Sequence, residues 1–363
     1  MDTRDFLVPD NYADFHCKCG KCRHTCCDGW AVTFPREDYF RLLSVPCSPE
    51  LRRKLDTSLH LADDPTPERY AELLPNWEGH CPLQRADGLC ALQAECGEEA
   101  ISSTCRYYPR GIRTMDDDEC SCSASCERVV EMLLHRLPPM TFRRMRLSFA
   151  MPLLPRETDA ALTVETRQLR RDVVTMLQAR EVPLASRMMG IRAALVLEES
   201  GHQTSESRWA AFRAAAKVAI PPADWVLRAN IQRTLMEELL ADTISMGGIA
   251  AEILLLLRGE QAGAVLQQAA GTFQADTPDW MIGTEQLMVN HVFYEGFPYG
   301  AHQERPATAV LYHQLHPDET ALVDAIAALF RVLEHSAFGW NAAVVLEREG
   351  KAGEDVIGQI VGI

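Results

Sequence analysis

The chain has 363 residues, of which 47% are hydrophobic and 24% are charged, and these fractions are ordinary for a soluble globular protein of about two domains. The formal net charge of −15 argues against a nucleic-acid partner, because binding phosphates requires a basic face. The same charge is compatible with a basic or lysine-bearing protein partner, and equally with acidity that only maintains solubility.

Targeting signals are not apparent in the sequence. The first residues, MDTRDFLVPD, lack the apolar segment of a secretory signal. The most apolar run, Ile249–Leu257, contains Glu252 and is far shorter than the ~20 residues that a membrane-spanning helix requires. We therefore expect a cytoplasmic protein without a transmembrane segment. Disulfides are rare in that compartment, so clustered cysteines are expected to bind metal or to perform redox chemistry.

Short elements separated by loops are predicted for the first third of the chain. Asp2–Asn11 is expected to be extended, and Ala31–Phe34 is expected to be a short strand. Pro35 stands where proline is tolerated at a helix start, which predicts a helix at Arg36–Ser44. Frequent prolines then indicate loops with short helices or strands over Val45–Asn76.

A hairpin and two helices are predicted next. Asp87-Gly88 is a turn signal between Cys81 and Cys90, so these two sulfurs would face each other across a hairpin. The sequence then predicts a helix at Leu92–Ser103. A further helix is predicted at Glu127–Arg136, and either of two serines before it, Ser123 or Ser125, could cap it.

From Pro138 onward the pattern is almost entirely helical, because apolar residues recur at helical spacing. The predicted helices are Asp159–Arg180, Pro183–Ser200, Ser205–Ala219, Ala223–Ser245, Gly248–Arg258, Asp279–Tyr294 and Glu319–Ser336. We therefore predict a mainly α fold. A cysteine-rich metal-binding domain at residues 1–137, with short strands and a hairpin, would precede an α-helical domain at residues 138–363.

All thirteen cysteines precede the predicted helical domain, and five of them lie in Phe15–Trp30, FHCKCGKCRHTCCDGW. Their odd number argues against complete pairing as disulfides. Clustered thiolates select soft or borderline metals, which makes this region a candidate metal centre. The run Cys22-x3-Cys26-Cys27 places two or three sulfurs in one loop, and three later cysteines could complete a site, namely Cys81, Cys90 and Cys105.

The cysteine spacing indicates that a metal binds here, but it does not determine which metal. The paired C-x2-C motifs of a zinc ribbon are absent, and adjacent cysteines do not easily both bind one tetrahedral zinc. The C-x3-C-x2-C loop of radical S-adenosylmethionine enzymes is also absent, because Gly29 and Trp30, and not a cysteine, follow Cys26 and Cys27 after two intervening residues. An iron–sulfur centre is the favoured interpretation, and a structural zinc site without chemistry is the main alternative.

Some cysteines are expected not to bind metal. Cys47 and Cys96 are isolated in the sequence, and a free cysteine behaves as a small apolar residue. Cys19, Cys120 and Cys122 stand beside better candidates and could be spectators.

Three cysteine-bearing segments resemble the flagellin lysine-N-methylase (FliB) family and the wider pattern of zinc- or iron-chelating cysteine-rich proteins. They are FHCKCGKCRHTCCDGWAVT, HCPLQRADGLCALQAECGEEAISSTCRYYPR and SCSASCERVVEML. The segment EQLMVNHVFYEGFPYG, near the C-terminus, also resembles that family. The resemblance covers the N-terminal third and this helical segment, whereas the middle of the chain is not diagnostic.

The resemblance implies a set of eight cysteines: Cys17, Cys22, Cys26, Cys27, Cys81, Cys90, Cys105 and Cys126. Either Cys17 or Cys19 could fill the first position. The resemblance also implies a [4Fe–4S] cluster, and transfer of a methyl group from S-adenosylmethionine to lysine side chains of flagellin. Eight cysteines could supply two metal sites, or one site together with structural thiols.

Methylating lysine requires a neutral amine, whereas the free ammonium has a pKa near ~10.4. Nearby carboxylates and phenols could remove the proton, or could be surface groups or hydrogen-bond partners of the metal ligands: Asp28, Glu78, Tyr107 and Tyr108. We assign no catalytic base from the sequence. His291 could face the metal centre, or could be an ordinary core or surface histidine.

The donor site is also undefined, because no G-x-G-x-x-G loop follows a strand. An iron with an open coordination position could hold S-adenosylmethionine, or the donor could lie between helices. The alternative function is a non-catalytic zinc- or iron-chelating binding or regulatory protein. A radical redox enzyme acting on a small molecule ranks third, because its cysteine loop is missing.

Overall fold

The computed structural model describes residues 2–114, 118–150, 163–201, 203–220, 222–240, 246–297, 312, 314–335 and 338–350. Within these ranges the fold is mainly α, with a cysteine-rich N-terminal region of short strands before a helical part, as the sequence predicts. No described helix combines the length and the apolar character that a membrane crossing would need.

Seven strands lie within the described residues: β1 (Asp2–Pro9), β2 (Val32–Phe34), β3 (Leu59–Leu61), β4 (Ala71–Leu73), β5 (Arg110–Arg113), β6 (Glu119–Cys122) and β7 (Phe142–Phe149). The first helices are α1 (Arg36–Ser44), α2 (Pro49–Ser58), α3 (Ala91–Cys96), α4 (Ser103–Tyr107) and α5 (Glu127–Leu134). They continue as α6 (Val164–Leu177), α7 (Leu184–Glu199), α8 (Ser205–Ala215), α9 (Trp225–Leu235) and α10 (Gly247–Leu257). The last are α11 (Ala262–Asp276), α12 (Trp280–Tyr294), α13 (Glu319–Leu333) and α14 (Phe338–Arg348).

The larger sheet joins distant parts of the sequence in the order β5-β6-β1-β7. β1 pairs antiparallel with β7 from Asp2–Phe149 to Pro9–Phe142, and it pairs in parallel with β6. Alternate side chains of β1 enter the core, where Phe6 and Val8 are fully buried. β7 is an exception to the helical pattern expected after Pro138. The predicted domain boundary at residues 137 and 138 stays a prediction.

A smaller sheet, in the order β2-β4-β3, packs with α1 and α2 around a separate hydrophobic core. Its buried residues are Phe34, Leu42, Leu51, Leu55, Leu73, Leu83, Leu92 and Ala100. Ser48 caps α2 by accepting a hydrogen bond from the backbone of Leu51, and Pro49 opens the helix. Cys81 and Cys90 pack against the edge of this core.

Two local expectations near the cysteines need correction. Leu92–Ser103 is not one helix, because Gly97 adopts a φ of +85° and divides it into α3, a 3₁₀ turn and α4. α5 begins at the expected place, but its N-cap is Cys126 rather than Ser123 or Ser125. The turn at Asp87-Gly88 forms as expected, since Arg85 donates to the Leu89 carbonyl at 2.9 Å across it.

In the helical part, α7, α8, α10, α12 and α13 lie within a few residues of their predicted bounds. The predicted helix Ala223–Ser245 is instead α9 followed by a π-helical turn at Met236–Leu240, and residues 241–245 lie outside the described residues. Residues 159–162, predicted to begin α6, also lie outside them. α11 and α14 were not predicted. α12 and α13 both pack against α5, immediately after the last cysteine.

Candidate metal centre

Glu127 anchors the cysteine loop, residues 15–30, to the first turn of α5. Its carboxylate is almost fully buried and accepts a hydrogen bond from Lys18 Nζ at 2.6 Å. It also accepts hydrogen bonds from the backbone amides of Arg23 at 3.0 Å and His24 at 3.1 Å. Arg23 in turn contacts Asp324 on α13 at 3.0 Å. The loop therefore has fixed contacts with two helices despite having little regular structure.

Arg331, on α13, organises the same loop from inside the protein. Its buried guanidinium donates hydrogen bonds to four backbone carbonyls, at distances of 2.7–3.3 Å: those of His24, Thr25, Asp28 and Ser125. The guanidinium carbon also lies 5.1 Å from the centre of the Trp30 ring. A single positive group thus holds the backbone on both sides of Cys26-Cys27, and reaches the residue before Cys126.

Backbone pairing brings Cys81 to the loop. Its amide donates to the Cys27 carbonyl at 2.7 Å, and Gly29 donates to the Gly79 carbonyl at 2.9 Å. An isolated bridge joins Asp28 to His80, and the His80 ring lies 2.7 Å from the Asp28 carboxylate. The short segments 27–29 and 79–81 are therefore held together by both backbone and side-chain contacts.

The hairpin turn also packs directly on the loop, where Gly20 meets Gly88. A Cβ atom on Gly20 would lie 2.7 Å from the Asp87 carbonyl oxygen, and one on Gly88 would lie 2.7 Å from the Gly20 oxygen. Gly88 has a φ of +77°, which favours glycine on conformational grounds as well. Glycine at both positions permits the close approach of the hairpin turn to the cysteine loop.

Five cysteine thiols lie close enough to influence one another's pKa: Cys26, Cys27, Cys81, Cys90 and Cys105. Hydrogen bonds from Cys26 and then Cys81 hold the pKa of the Cys27 thiol well below its ordinary value, and Arg331 lowers it further. The same hydrogen bonds raise the pKa of Cys26 and of Cys81. Cys105 keeps exposed surface, yet surrounding protein desolvates its thiol and raises its pKa to about 12.

Cys17, Cys22 and Cys126 form a second group that adjoins the first. Burial raises the pKa of Cys22 to about 12, and the charges of Glu127, Cys126 and Cys17 add to the effect. Cys126 also acts on Cys26, which connects the two groups. The Cys126 sulfur accepts backbone hydrogen bonds in the first turn of α5, and the Cys90 sulfur does the same in the first turn of α3. Hydrogen bonds from such amides lower the pKa of a thiol, but burial raises the pKa of Cys126 and of Cys90 by more.

The remaining cysteines differ in their surroundings. Cys120 and Cys122 are buried in β6, where Cys120 Sγ donates to the Tyr12 hydroxyl at 3.3 Å. Cys47 and Cys96 pack against the smaller hydrophobic core, as Cys81 and Cys90 also do, and the nearby Cys90 helps to raise the pKa of Cys96. Cys19 is exposed with a φ of +53°, and its amide lies 3.3 Å from Cys17 Sγ. The eight cysteines implied by the resemblance therefore lie in two adjoining groups, but their role as ligands stays a prediction.

The donor set fits a metal centre made of thiolates. The eight implied cysteines lie in two adjoining groups. Thiolates are the ligands of iron–sulfur clusters and also of structural zinc sites, so this donor set suits either kind of centre.

No protein-family model matches this chain, and no solved structure matches it. It is 28% identical over 123 residues to the Lysine-N-methylase of Salmonella typhimurium, a stretch that makes up 33% of this chain and 30% of that protein. The chain resembles lysine-N-methylases. The Flagellar biosynthetic protein FliU of Salmonella muenchen is similar over the same length, which is 72% of that protein.

The matched stretch is therefore about a third of this chain and less than a third of the lysine-N-methylase. The Lysine-N-methylase of Salmonella choleraesuis matches to the same extent. These relatives support the family resemblance drawn from the cysteine segments.

The structure places the four candidate proton acceptors in different settings. Tyr108 has a pKa well above its ordinary value, because it is buried and lies near Cys126, so it remains a neutral phenol. Tyr107 accepts a hydrogen bond from the Ala150 amide. Asp28 pairs with His80, and Glu78 is exposed on the surface. Each candidate except Glu78 thus has a structural partner beside the cysteines, and none is singled out as a base.

A buried polar network behind Cys126 was missed by the sequence reasoning. Ser125 lies 3.0 Å from the Tyr108 hydroxyl and 3.0 Å from His335 Nε2. Ser123 contacts Ser125 and donates to Glu334 at the end of α13. His291 lies 3.2 Å from Glu334, so it faces this network and not the sulfurs directly. The sequence feature that could have revealed this network is the polar pair Glu334-His335 after a long apolar helix. That pair does not show which residues it contacts.

Proposed function

We propose that this chain is a protein-lysine N-methyltransferase that depends on an iron–sulfur cluster, uses S-adenosylmethionine as the methyl donor and acts on flagellin. The similarity to proteins named Lysine-N-methylase carries the proposal of methyl transfer. The name of FliU, a flagellar biosynthetic protein, supports flagellin as the substrate. The grouping of the cysteines and the family resemblance of the cysteine segments support the iron–sulfur dependence.

The coupled cysteines would hold the cluster, with ligands drawn from Cys26, Cys27, Cys81, Cys90 and Cys105. The adjoining Cys17, Cys22 and Cys126 would bind a second centre, or would complete the first. A bound cluster would supply an iron able to act as a Lewis acid or in electron transfer. The positive charge of Arg331 and the first-turn amides of α3 and α5 would offset the negative charge of the thiolates.

The substrate side of the reaction agrees with the charge of the chain. A net charge of −15 favours the approach of a lysine-bearing segment over that of an acidic one. The ammonium must then lose its proton, which a partly desolvated position promotes. Tyr108 is unsuited to accept that proton because its own pKa is raised, so it would position groups rather than act as a base.

An anaerobic methylation assay tests the proposal. The full chain, purified without oxygen and reduced, is incubated with S-adenosylmethionine and flagellin, and flagellin is then analysed by mass spectrometry. We expect lysine-containing peptides to gain the mass of one or more methyl groups. Cys81→Ser should remove the activity, whereas Cys47→Ser is a matched control that should retain it. Unmodified flagellin with an iron-loaded protein would contradict methyl transfer and favour a non-catalytic chelating protein.

A further inference from the structure

We propose that His291, Glu295 and Glu334 form a binding site for a divalent first-row metal ion, distinct from the cysteines. One donor atom from each of the three residues lies within 4.8 Å of the other two. An ion with bonds of about 2.0–2.2 Å places its ligands at most ~4.4 Å apart, so small side-chain movements would bring all three donors onto one ion. The proposal is independent of the methyl-transfer function.

The fold converges on this site from two helices. His291 lies in the last turn of α12, Glu295 is the C-cap of α12, and Glu334 is the C-cap of α13. A helix C-terminus carries partial negative charge from its free carbonyls, which favours a cation. The two helix ends therefore add to the negative potential of the two carboxylates.

Burial makes a cation at this place more favourable. The Glu334 side chain is fully buried, and His291 is 4% exposed. Burial raises the pKa of Glu295 to about 7, and the neighbouring Glu334 charge contributes to the rise. Two carboxylates held close together in a poorly solvated site repel each other. A bound divalent ion would remove that repulsion and replace the lost hydration of the carboxylates.

Two arginines lie near the site and make other contacts. Arg113 lowers the pKa of Glu295, but it also pairs with Glu119 at 3.1 Å and donates to the Phe293 and Tyr294 carbonyls. Arg331 directs its hydrogen bonds to the cysteine loop. Both arginines therefore have other acceptors, and an ion could bind the carboxylates without displacing these contacts.

The donor set indicates which kind of ion would bind. One imidazole nitrogen and two carboxylate oxygens suit manganese, iron(II) or zinc, whereas the neighbouring thiolates select softer metals. Ser123 donates to Glu334 and so orients that carboxylate, as the outer partners of metal ligands commonly do. The Phe330 ring packs edge-on against His291, with the ring centres 5.7 Å apart, and this limits the rotation of the imidazole.

Manganese(II) is the most selective probe, because it prefers oxygen and nitrogen donors over thiolates. The full chain is titrated with Mn²⁺ without oxygen, and free Mn²⁺ is followed by electron paramagnetic resonance. We expect one Mn²⁺ to bind per chain, and we expect Glu334→Gln and Glu295→Gln each to weaken binding by at least ~10-fold. Glu252→Gln is the matched control, since this exposed glutamate pairs only with His316 among the contacts described, and it should leave binding unchanged.

Two results would overturn the proposal. The first is wild-type protein that binds no stoichiometric Mn²⁺, and the second is binding that survives both substitutions unchanged. Thermal unfolding provides a second readout: Mn²⁺ should raise the Tm of the wild type but not that of Glu295→Gln. The Glu334 side chain is fully buried, so Glu334→Gln could fail to fold, and Glu295→Gln then provides a second, separate test of the site.

Discussion

The cysteine-rich region and the helical region are stabilised in different ways. Apart from β1, the first has strands of three or four residues, and the segment from β2 to α3 packs around a core of only eight buried residues. Polar clamps from Glu127 and Arg331 hold its cysteine loop. The second has helices of 11–16 residues and shares a much larger continuous core. Small cores commonly require a metal or a covalent link for stability. If the proposed metal centre forms, we expect metal to stabilise the first region, whereas apolar packing stabilises the second.

The largest expected effect follows from removing the metal. Cys81→Ser should abolish metal binding and increase amide hydrogen exchange in residues 15–30 and 76–105, because metal-binding free energy there contributes to folding. Exchange in α7 and α12 should stay slow. Hydrogen-exchange mass spectrometry measures both regions in one experiment. Cys47→Ser is the control, and equal losses in the two variants would mean that ligands and bystanders have been assigned wrongly.

Arg331→Met should have the next largest effect. Four backbone carbonyls of the cysteine region would lose a charged donor inside the protein, at a cost of at least about 2 kcal/mol. We expect lower metal content and a lower urea midpoint. Arg128→Met provides a matched control, since Arg128 makes a half-exposed contact with Glu131 and should change stability by less than about 0.5 kcal/mol. Unchanged metal content in Arg331→Met would refute the role of this clamp.

Overpacking in the helical region should have a moderate effect that leaves the metal in place. A Cβ atom on Gly190 in α7 would lie 2.5 Å from the Phe212 ring and 2.9 Å from the Phe212 carbonyl oxygen. Gly190→Ala should therefore cost about 1–3 kcal/mol, measured by denaturant unfolding. Gly271→Ala in α11 meets open space and should gain up to about 1 kcal/mol. Metal loss in Gly190→Ala would show that the two regions are not independent.

The smallest expected effect is a pH dependence at the loop–hairpin contact. Asp28 raises the pKa of His80 above its ordinary value through a hydrogen bond and its charge. The folded state therefore binds the His80 proton more tightly than the unfolded state does. The His80–Asp28 pair stabilises the fold fully below about pH 6.5, and this stabilisation is lost as the pH rises through the raised pKa. His80→Asn should reduce the stability difference between mildly acidic and mildly basic buffers. If His80→Asn shows the same pH-dependent difference in stability as the wild type, the His80–Asp28 pair does not contribute to it.

Local signals predicted a large part of the fold. α1 has its predicted bounds because Pro35 and the apolar spacing are properties of adjacent residues. β7 was missed because three arginines interrupt FRRMRLSF, and its register depends on β1, which lies more than a hundred residues earlier. Gly97 divided a helix that composition alone favoured. Elements whose stability comes from distant partners were the ones that single-sequence patterns failed to predict.

The candidate site shows the same limit. The cysteines were found because their number and spacing are visible in the sequence, and the structure brings the implied eight into two adjoining groups. Arg331 and Glu334 were not found, because they contact residues about 200–300 positions earlier in the chain. His291 was noticed only through the resemblance, and its partner Glu334 is on another helix. Sequence alone therefore identified candidate donors but not the groups that hold them.

Mössbauer spectroscopy of the chain purified without oxygen, with iron and acid-labile sulfide measured on the same sample, tests the central claim most directly. We predict the signature of a [4Fe–4S] cluster in the wild type and in Cys47→Ser, and its loss in Cys81→Ser. A colourless wild-type protein containing zinc and no sulfide would contradict the iron–sulfur centre.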